Sequence, residues 1–359
     1  MYNLLGKHAA TSNSIKSIDL TIDHTKCGSS NSSNFPVLVS ISHTNIKTVA
    51  NGGYVYRSDG NDIEFFSDAG HTTLLNWEVE YYDGTNGILI SWVSVPTVSS
   101  STDTKIYMQC GSTSITTFQG GSAGKVWTND GNYGGVWHLP NGTTLSATDK
   151  TTNANDGTIT NATAATGKVD GGASFNGSNT NIDFGSSSTI KSTSATTVEL
   201  WFYSNSLATT DQRIFCDWHN SSSTDRWLIY NQSTTTIAFI WANSGETQYP
   251  FCNFNISANT WYHMVGTWDG STVKVYLNGS TSGGTWTGSQ SMSSMNAGAT
   301  KAVRMGKQSE GANYFNGYTD EARISNVARS ADWILTEFNN QNGPGNIGSA
   351  NFISYSSWY

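Results

Sequence analysis

From Ser17 onward, short apolar stretches alternate with clusters of Gly, Asn, Asp and Ser. Within the stretches apolar residues recur at every second position, the period of a half-buried strand. IDLTI (Ile18–Ile22) and FPVLVSI (Phe35–Ile41) are rich in β-formers and read as strands. NDIEFFS and LLNWEVEYYD flank DAGHTT and read as a hairpin with Gly70 in its turn. Its first arm sets Ile63 and Phe65 against Asp62 and Glu64, and its second sets Trp77, Val79 and Tyr81 against Glu78 and Glu80. The acids Asp62, Glu64, Glu78 and Glu80 are expected on a solvated face. GILISWVSV and TKIYMQC complete a β-rich unit that ends near Gly111.

Residues 112–132 are rich in Gly, Ser and Thr and read as a linker, after an N-terminal arm (1–16) and a first domain (17–111). A second domain over 133–341 begins near Tyr133. Its pattern is many short strands punctuated by turns: GGVWHL, GASFNG, NIDFG, TTVELWFYS, RWLIYNQ, TIAFIWAN, WYHMVGTWDG, VKVYLNG and YTDEARIS. Such a series indicates a sandwich or jelly roll. WYHMVGTWDGSTVKVYLNG reads as a hairpin across Asp269-Gly270, and in VELWFY the residues Val198, Leu200 and Phe202 share a face. A single helix is expected at RSADWILTEFNNQ, with Ser330 as N-cap, Asp332 in the first turn, and Trp333, Ile334 and Phe338 packing on the sandwich. The fold class is therefore all-β: two tandem β-sandwich domains, the second a jelly roll with one short C-terminal helix. The tail 342–359 carries the spaced aromatics Phe352, Tyr355, Trp358 and Tyr359. They are candidates for a strand that docks on a neighbouring subunit; the alternative is packing on the chain's own sandwich.

Composition agrees with this class. Charged residues make up 12% of the 359, aromatics another 12%, including 13 Trp. Few charges with many aromatics do not fit disorder. Net charge is −8 with no basic run, which argues against a nucleic-acid partner. MYNLLGKHAATSNS lacks the apolar core of a secretory signal, and no apolar run reaches bilayer-spanning length, so membrane insertion is not expected. Cys27, Cys110, Cys216 and Cys252 form no C-x-x-C pair. They read as Cys27–Cys110 and Cys216–Cys252 bridges or as buried free thiols.

GGSAG (Gly120–Gly124) matches G-x-S-x-G by letter, but it lies in the linker and no helix is expected after it. There is no H-E-x-x-H, no Walker motif and no strand–GxGxxG–helix. His138 and His263 sit in strands beside Trp137 and Trp261 and read as structural. The chain is expected to be non-enzymatic.

GVWHL, DKTTNANDGT, GGASFNGSNTNIDFG, TTVELWFY, WYHMVGTWDGSTVKVYLNG and YFNGYTDEARISNVARSADWILTEFNNQ, in that order, resemble the laminin-G-like branch of the concanavalin A-like lectin/glucanase superfamily. FPVLVSI, GNDIEFFSDAGHTTLLNWEVEYYD, SWVSVP and TDTKIYM resemble a small β-domain of unknown function that often precedes such domains in bacterial surface and tailed-phage virion proteins. The resemblance implies a virion structural protein (capsid decoration, tail or fibre) with a lectin-like domain for glycan attachment. Its partners would be other virion proteins or copies of itself. The alternatives are a bacterial cell-surface adhesin and, less favoured, a glycoside hydrolase. The superfamily's laminarinase-like hydrolases carry E-x-D-x-x-E or E-x-D-x-E, and neither string occurs here.

Sugar recognition in sandwiches uses rings that stack on pyranoses and amides or acids that bind hydroxyls. Trp218, His219, Trp241, Tyr249 and Trp286, in loop-like segments, are the candidates, against the alternative that they cap the core. The loop TDKTTNANDGT fails the EF-hand pattern, since Thr151 and Ala154 stand where ligand and Gly belong. The resemblance instead implies one structural Ca²⁺ held by Asp149 or Asp156 and by Asp320. The alternative is an Asx-turn loop that satisfies its own backbone.

Overall fold

The structure is a computed structural model that describes residues 15–122, 124–140, 142–219, 224–297, 301–308, 311, 313–346 and 351–359. The N-terminal arm expected over 1–16 therefore lies, up to residue 14, outside the described residues. The first domain contains β1 (Lys16–Ile22), β2 (Ser32–Ser42), β3 (Glu64–Phe66), β4 (Asn76–Asp83), β5 (Ile88–Val98) and β6 (Thr104–Cys110). They form two antiparallel sheets, β1-β6-β3 and β2-β5-β4. Ile18, Leu20, Ile22, Phe65 and Met108 from one, with Phe35, Val37, Val39, Trp77 and Val93 from the other, make one core.

The expected hairpin does not form. β3 pairs with β6 in one sheet and β4 with β5 in the other. Only a bridge between Phe66 and Leu74 joins the two arms. Asp68 braces the turn by accepting from the backbone N–H of Gly70, Thr72 and Thr73, and the chain comes back along β3 only through Ser67 N to Thr73 O and Leu75 N to Phe65 O before β4 leaves to pair with β5 from Asn76 onward.

The interval 112–132 is anchored rather than extended. It contains a one-turn helix, α1 (Lys125–Thr128), whose Val126 and Trp127 join the first domain's core. Phe118 packs edge-on against Trp77.

The second domain runs through β7 (Tyr133–Trp137), β8 (Thr158–Thr160), β9 (Thr163–Thr166), β10 (Gly171–Asn176), β11 (Asn181–Asp183), β12 (Thr196–Ser204), β13 (Arg213–Asp217), β14 (Trp227–Asn231), β15 (Thr236–Trp241), β16 (Phe251–Asn255), β17 (Trp261–Trp268), β18 (Val273–Leu277), β19 (Thr285–Thr287), β20 (Arg304–Met305) and β21 (Asn316–Ser325). One sheet orders β18-β17-β12-β21-β10-β9, with β7 also on β21; the other orders β19-β16-β15-β14-β13-β20-β11-β8. Between them lies the core that includes Val198, Leu200, Phe202, Phe215, Trp227, Phe239 and Trp241. β17 and β18 form the expected hairpin across Asp269-Gly270.

The helix α2 (Ala331–Asn342) starts where expected, with Ser330 Oγ accepting from Trp333 N at 3.1 Å. It lies between the domains. Toward the second, Phe338 stacks on Trp201 and Ile334 packs with Val265 and Tyr276. Toward the first, Trp333 meets Phe35 edge-on, and Asn340 accepts from Leu38 N and donates to Leu38 O.

After α2 the chain returns to the first domain. β22 (Ile353–Tyr355) adds to β1 antiparallel and completes the four-stranded sheet β22-β1-β6-β3. The aromatics expected to dock on a partner are used within the chain. Phe352 is buried in the first core, Tyr355 Oη donates to Ser40 O at 2.9 Å, Trp358 stacks on His43, and Tyr359 Oη donates to Asp19. The reason is that the exposed edge of β1 lies within reach of the chain's own C-terminus. All four cysteines are free thiols. Cys27 is half-buried beside Asp23 O and Cys110 faces Asn45 O, while Cys216 and Cys252 belong to different apolar clusters.

Candidate functional site

The alternation in β12 places Val198, Leu200 and Phe202 in the core, which forces Glu199 and Trp201 onto the outer face of the sheet. In an isolated sandwich that face would be wet. Here α2 and the first domain cover it, and Glu199, Trp201, His263, Asp320, Glu321 and Arg323 are all at most 3% exposed. The acids of β4 join them. Glu80 has a fully buried side chain and Glu78 is 18% exposed. Asp62 and Glu64 are buried elsewhere in the first domain, where Asp62 accepts from the N–H of Tyr56 and Arg57. The solvated acidic face expected from the sequence is thus largely buried: the second domain sets His138 opposite Glu78 and Glu80, and first-domain backbone N–H groups hold Asp62.

His138 is the link. Its Nε2 lies 2.7 Å from Glu78 and its Nδ1 2.8 Å from Glu321 and 3.7 Å from Glu80. The ring stacks on Trp92 at 5.5 Å and 13°. Burial alone would lower its pKa, but Glu321 and Glu80 outweigh that and hold it up at about 10. Glu80 is pushed well above the usual carboxylate range by burial and by Glu321. For Glu78, burial would raise the pKa, but His138 overcomes it and holds the carboxyl low. Arg323 donates to Glu321 at 2.7 Å and pairs with Glu337, with its guanidinium over the rings of Trp92 and Trp127. Trp92 and Trp127 donate their indole N–H to Glu80 and Glu78.

Glu78 borders a hollow of about 460 Å³ between the domains, with Asn61, Phe118, Asp149, Lys150 and Thr151. Glu78 and Asp149 both line it, but Asp149 is held by the N–H groups of Val136, Thr151 and Asn155, and Glu80 and Glu321 sit behind His138 with no exposure. Hydrolysis of a glycoside by paired acids needs two carboxyls flanking the bond. This arrangement does not offer them.

The five expected sugar-binding residues separate. Trp241 is fully buried and stacks on Phe239 at 4.8 Å. His219 is fully buried, its Nε2 2.9 Å from Asp217. Both are core residues because their segments continue strands into the sandwich. Trp218 and Tyr249 do meet, at 6.0 Å. Trp218 is nearly buried, while Tyr249 is 43% exposed and donates to Glu246 at 3.2 Å. Burial, with Glu246 adding to it, raises the nearby Asp225 to about 6.

Trp286 belongs to another place. It lines a cleft of about 660 Å³ between the β18–β19 edge and the start of α2, with Lys274, Ser280, Thr281, Gln290 and Asp332. Gly279 shapes its wall: its φ is +76°, and a Cβ there would stand 3.2 Å from Phe338. No periodicity in the sequence marks this cleft, since it exists only because α2 packs beside the hairpin.

The expected Ca²⁺ residues also separate. Asp149 accepts from the N–H of Val136, Thr151 and Asn155 and from Thr151 Oγ1, all at 2.9–3.0 Å. Asp156 accepts from Asp149 N at 2.8 Å. Asp320 accepts instead from the N–H of Lys168, Val169 and Glu321. Each set braces its own loop. Among the described residues, the groups of possible metal ligands within 4.8 Å of one another are Asp23–His24–Asp103, Glu80–His138–Glu321 and Glu199–His263–Glu337.

Comparison with known proteins agrees with the architecture. Residues 176–335 match the family model of the concanavalin A-like lectin/glucanases superfamily, and residues 59–135 match a domain of unknown function, DUF2341. Among solved structures, domain 4 of AbnA, a GH43 extracellular arabinanase from Geobacillus stearothermophilus, solved with arabinotriose, is 21% identical. It aligns with TM-score 0.42 over 57% of this chain and 97% of its own. The binding domain of Paraclostridial mosquitocidal protein 1 is 13% identical (TM-score 0.47; 58% of this chain, 52% of its own). The receptor-binding domain of botulinum neurotoxin D is 13% identical (TM-score 0.44; 59% and 53%). The present chain thus spans about half of each toxin domain, and at these identities the likeness concerns fold alone. No curated protein matches the chain.

Proposed function

We propose that this chain, a concanavalin A-like lectin/glucanase domain joined to a preceding domain of unknown function, is a non-enzymatic glycan-binding protein. The observation that carries the reading is the cleft around Trp286. It is concave, its volume falls in the range of small-molecule sites, and it combines the Trp286 indole with Lys274, Ser280, Thr281, Gln290 and Asp332. An indole stacks on the apolar face of a pyranose, while amides, hydroxyls and charges bind its hydroxyl rim. The exposed Tyr249, backed by Trp218 and flanked by Glu246, supplies a second platform. Glu80 and Glu321 are buried behind His138 at the domain junction.

The setting proposed for this activity is the surface of a tailed-phage particle, with a bacterial cell surface as the alternative. The support is the sequence resemblance of the first domain to those that precede laminin-G-like domains in such proteins. Immunodetection on purified particles, against a cell-envelope fraction, separates the two.

The binding test uses immobilised glycans and affinity electrophoresis in polysaccharide gels. Trp286→Ala should weaken binding at least tenfold with the fold intact, and Tyr249→Ala should weaken it less. Absence of binding across a broad glycan array sinks the proposal, as does release of reducing sugar from any bound polysaccharide.

A further inference from the structure

Three carboxylates, Glu199, Glu321 and Glu337, surround the single guanidinium of Arg323. Glu321 has a second cation in His138. Glu199 and Glu337 form no second close ion pair among the described residues, Arg329 acting on both only from a distance while it pairs with Asp130, and each keeps a buried Oε2 without a hydrogen-bond partner there. Beside them stands His263, fully buried, with neither Nδ1 nor Nε2 partnered among the described residues. One ligand atom from each of Glu199, His263 and Glu337 lies within 4.8 Å of the others. A buried imidazole with two orphaned nitrogens is rare, since its desolvation goes unrecovered.

We infer that Glu199, His263 and Glu337 form a buried binding site for one divalent transition-metal cation, of the Zn²⁺ class. A neutral imidazole nitrogen with carboxylate oxygens is a donor set that suits Zn²⁺, with a water completing four-coordination. Bond lengths of about 2.0–2.2 Å place tetrahedral ligands roughly 3.3–3.6 Å apart, a spacing that ligand atoms already within 4.8 Å of one another reach by small side-chain movements. Arg323 holds Glu337 from the far side, and Trp201, at 5.1 Å, and Phe338, at 6.3 Å, flank the imidazole.

The three ligands come from β12, β17 and α2. The ion therefore ties the helix to the sheet, and because α2 also holds the first domain through Trp333 and Asn340, it tightens the junction. The site is distinct from the loop of Asp149 and Asp156 and takes nitrogen as well as oxygen. It is also distinct from the cleft around Trp286, so it stands or falls apart from the glycan reading.

The test is metal content of the full chain. The protein is unfolded in denaturant with chelator, refolded with Zn²⁺ or with none, freed of excess metal by gel filtration, and measured by mass spectrometry. The expected result is one Zn²⁺ per wild-type chain and a higher melting temperature than for the metal-free protein. His263→Gln and Glu337→Gln should each lose the ion, while His138→Gln, in the neighbouring cluster, should keep it. Co²⁺ in the wild-type chain should give the intense visible bands of a four-coordinate ion, a readout that needs no variant to fold. A folded wild-type chain with only trace metal overturns the site and leaves a proton shared by Glu199 and Glu337. A full equivalent retained by folded His263→Gln overturns it too, and moves the ion elsewhere.

Discussion

Replacing His138 by Ala tests how the two domains are held. The imidazolium sits between Glu78 and Glu80 of the first domain and Glu321 of the second, at 2.7, 3.7 and 2.8 Å. Its removal leaves Glu321 with Arg323 alone and Glu78 with the Trp127 indole. Breaking a buried ion pair from one side costs about 3–5 kcal/mol, because the remaining charge stays desolvated. Loss of the stacking on Trp92 adds about 0.5–1.5 kcal/mol. A destabilisation of roughly 4–6 kcal/mol follows, and it falls on a contact between domains. Urea unfolding should therefore show one cooperative transition in the wild type and two in His138→Ala. The pH dependence supplies the sign. A folded pKa of about 10, above the unfolded value of about 6.5, gives stability that is complete below the unfolded value and lost as pH rises through about 10. The gap between wild type and His138→Gln should thus be widest near pH 6 and shrink toward pH 10. A loss under about 1 kcal/mol at pH 6, or a gap that widens with pH, refutes the reasoning.

Other predictions rest on separate contacts. Deleting 351–359 removes the buried Phe352 and Ile353, each about 1.5–3 kcal/mol. Calorimetry should show the loss, while light scattering should show an unchanged oligomeric state; the reverse outcome would mean that the tail serves a partner. Asp149→Ala strands the N–H groups of Val136, Thr151 and Asn155. At about 1 kcal/mol or more each, denaturant titration should register a loss of about 3 kcal/mol or more. Trp286→Ala removes a half-buried ring beside the cleft, and glycan affinity should fall much further than the melting temperature does.

Much of the fold was legible because strand alternation and turn residues are local. Val198, Leu200 and Phe202 face the core as their spacing requires, Ser330 caps the helix, and Asp269-Gly270 turns the β17–β18 hairpin. The hairpin over NDIEFFS and LLNWEVEYYD stops after one bridge because β3 pairs with β6 and β4 with β5, distant partners that periodicity does not record. The aromatic residues proposed for sugar were chosen by type, and type does not separate a core Trp241 from an exposed Tyr249.

The sequence by itself determined the β-sandwich class, the helix, the position of each strand's apolar face and the lectin-like resemblance. These follow from nearest-neighbour backbone preferences and a two-residue period. Only the tertiary structure decided what the polar faces meet. Glu78 and Glu80 alternate like solvated residues, yet His138 lies against them once the domains close. Glu199, His263 and Glu337 are separated along the chain and become neighbours when α2 covers the sheet. A buried charge is tolerated only opposite its partner, and that partner comes from distant sequence, so only the folded chain reveals it.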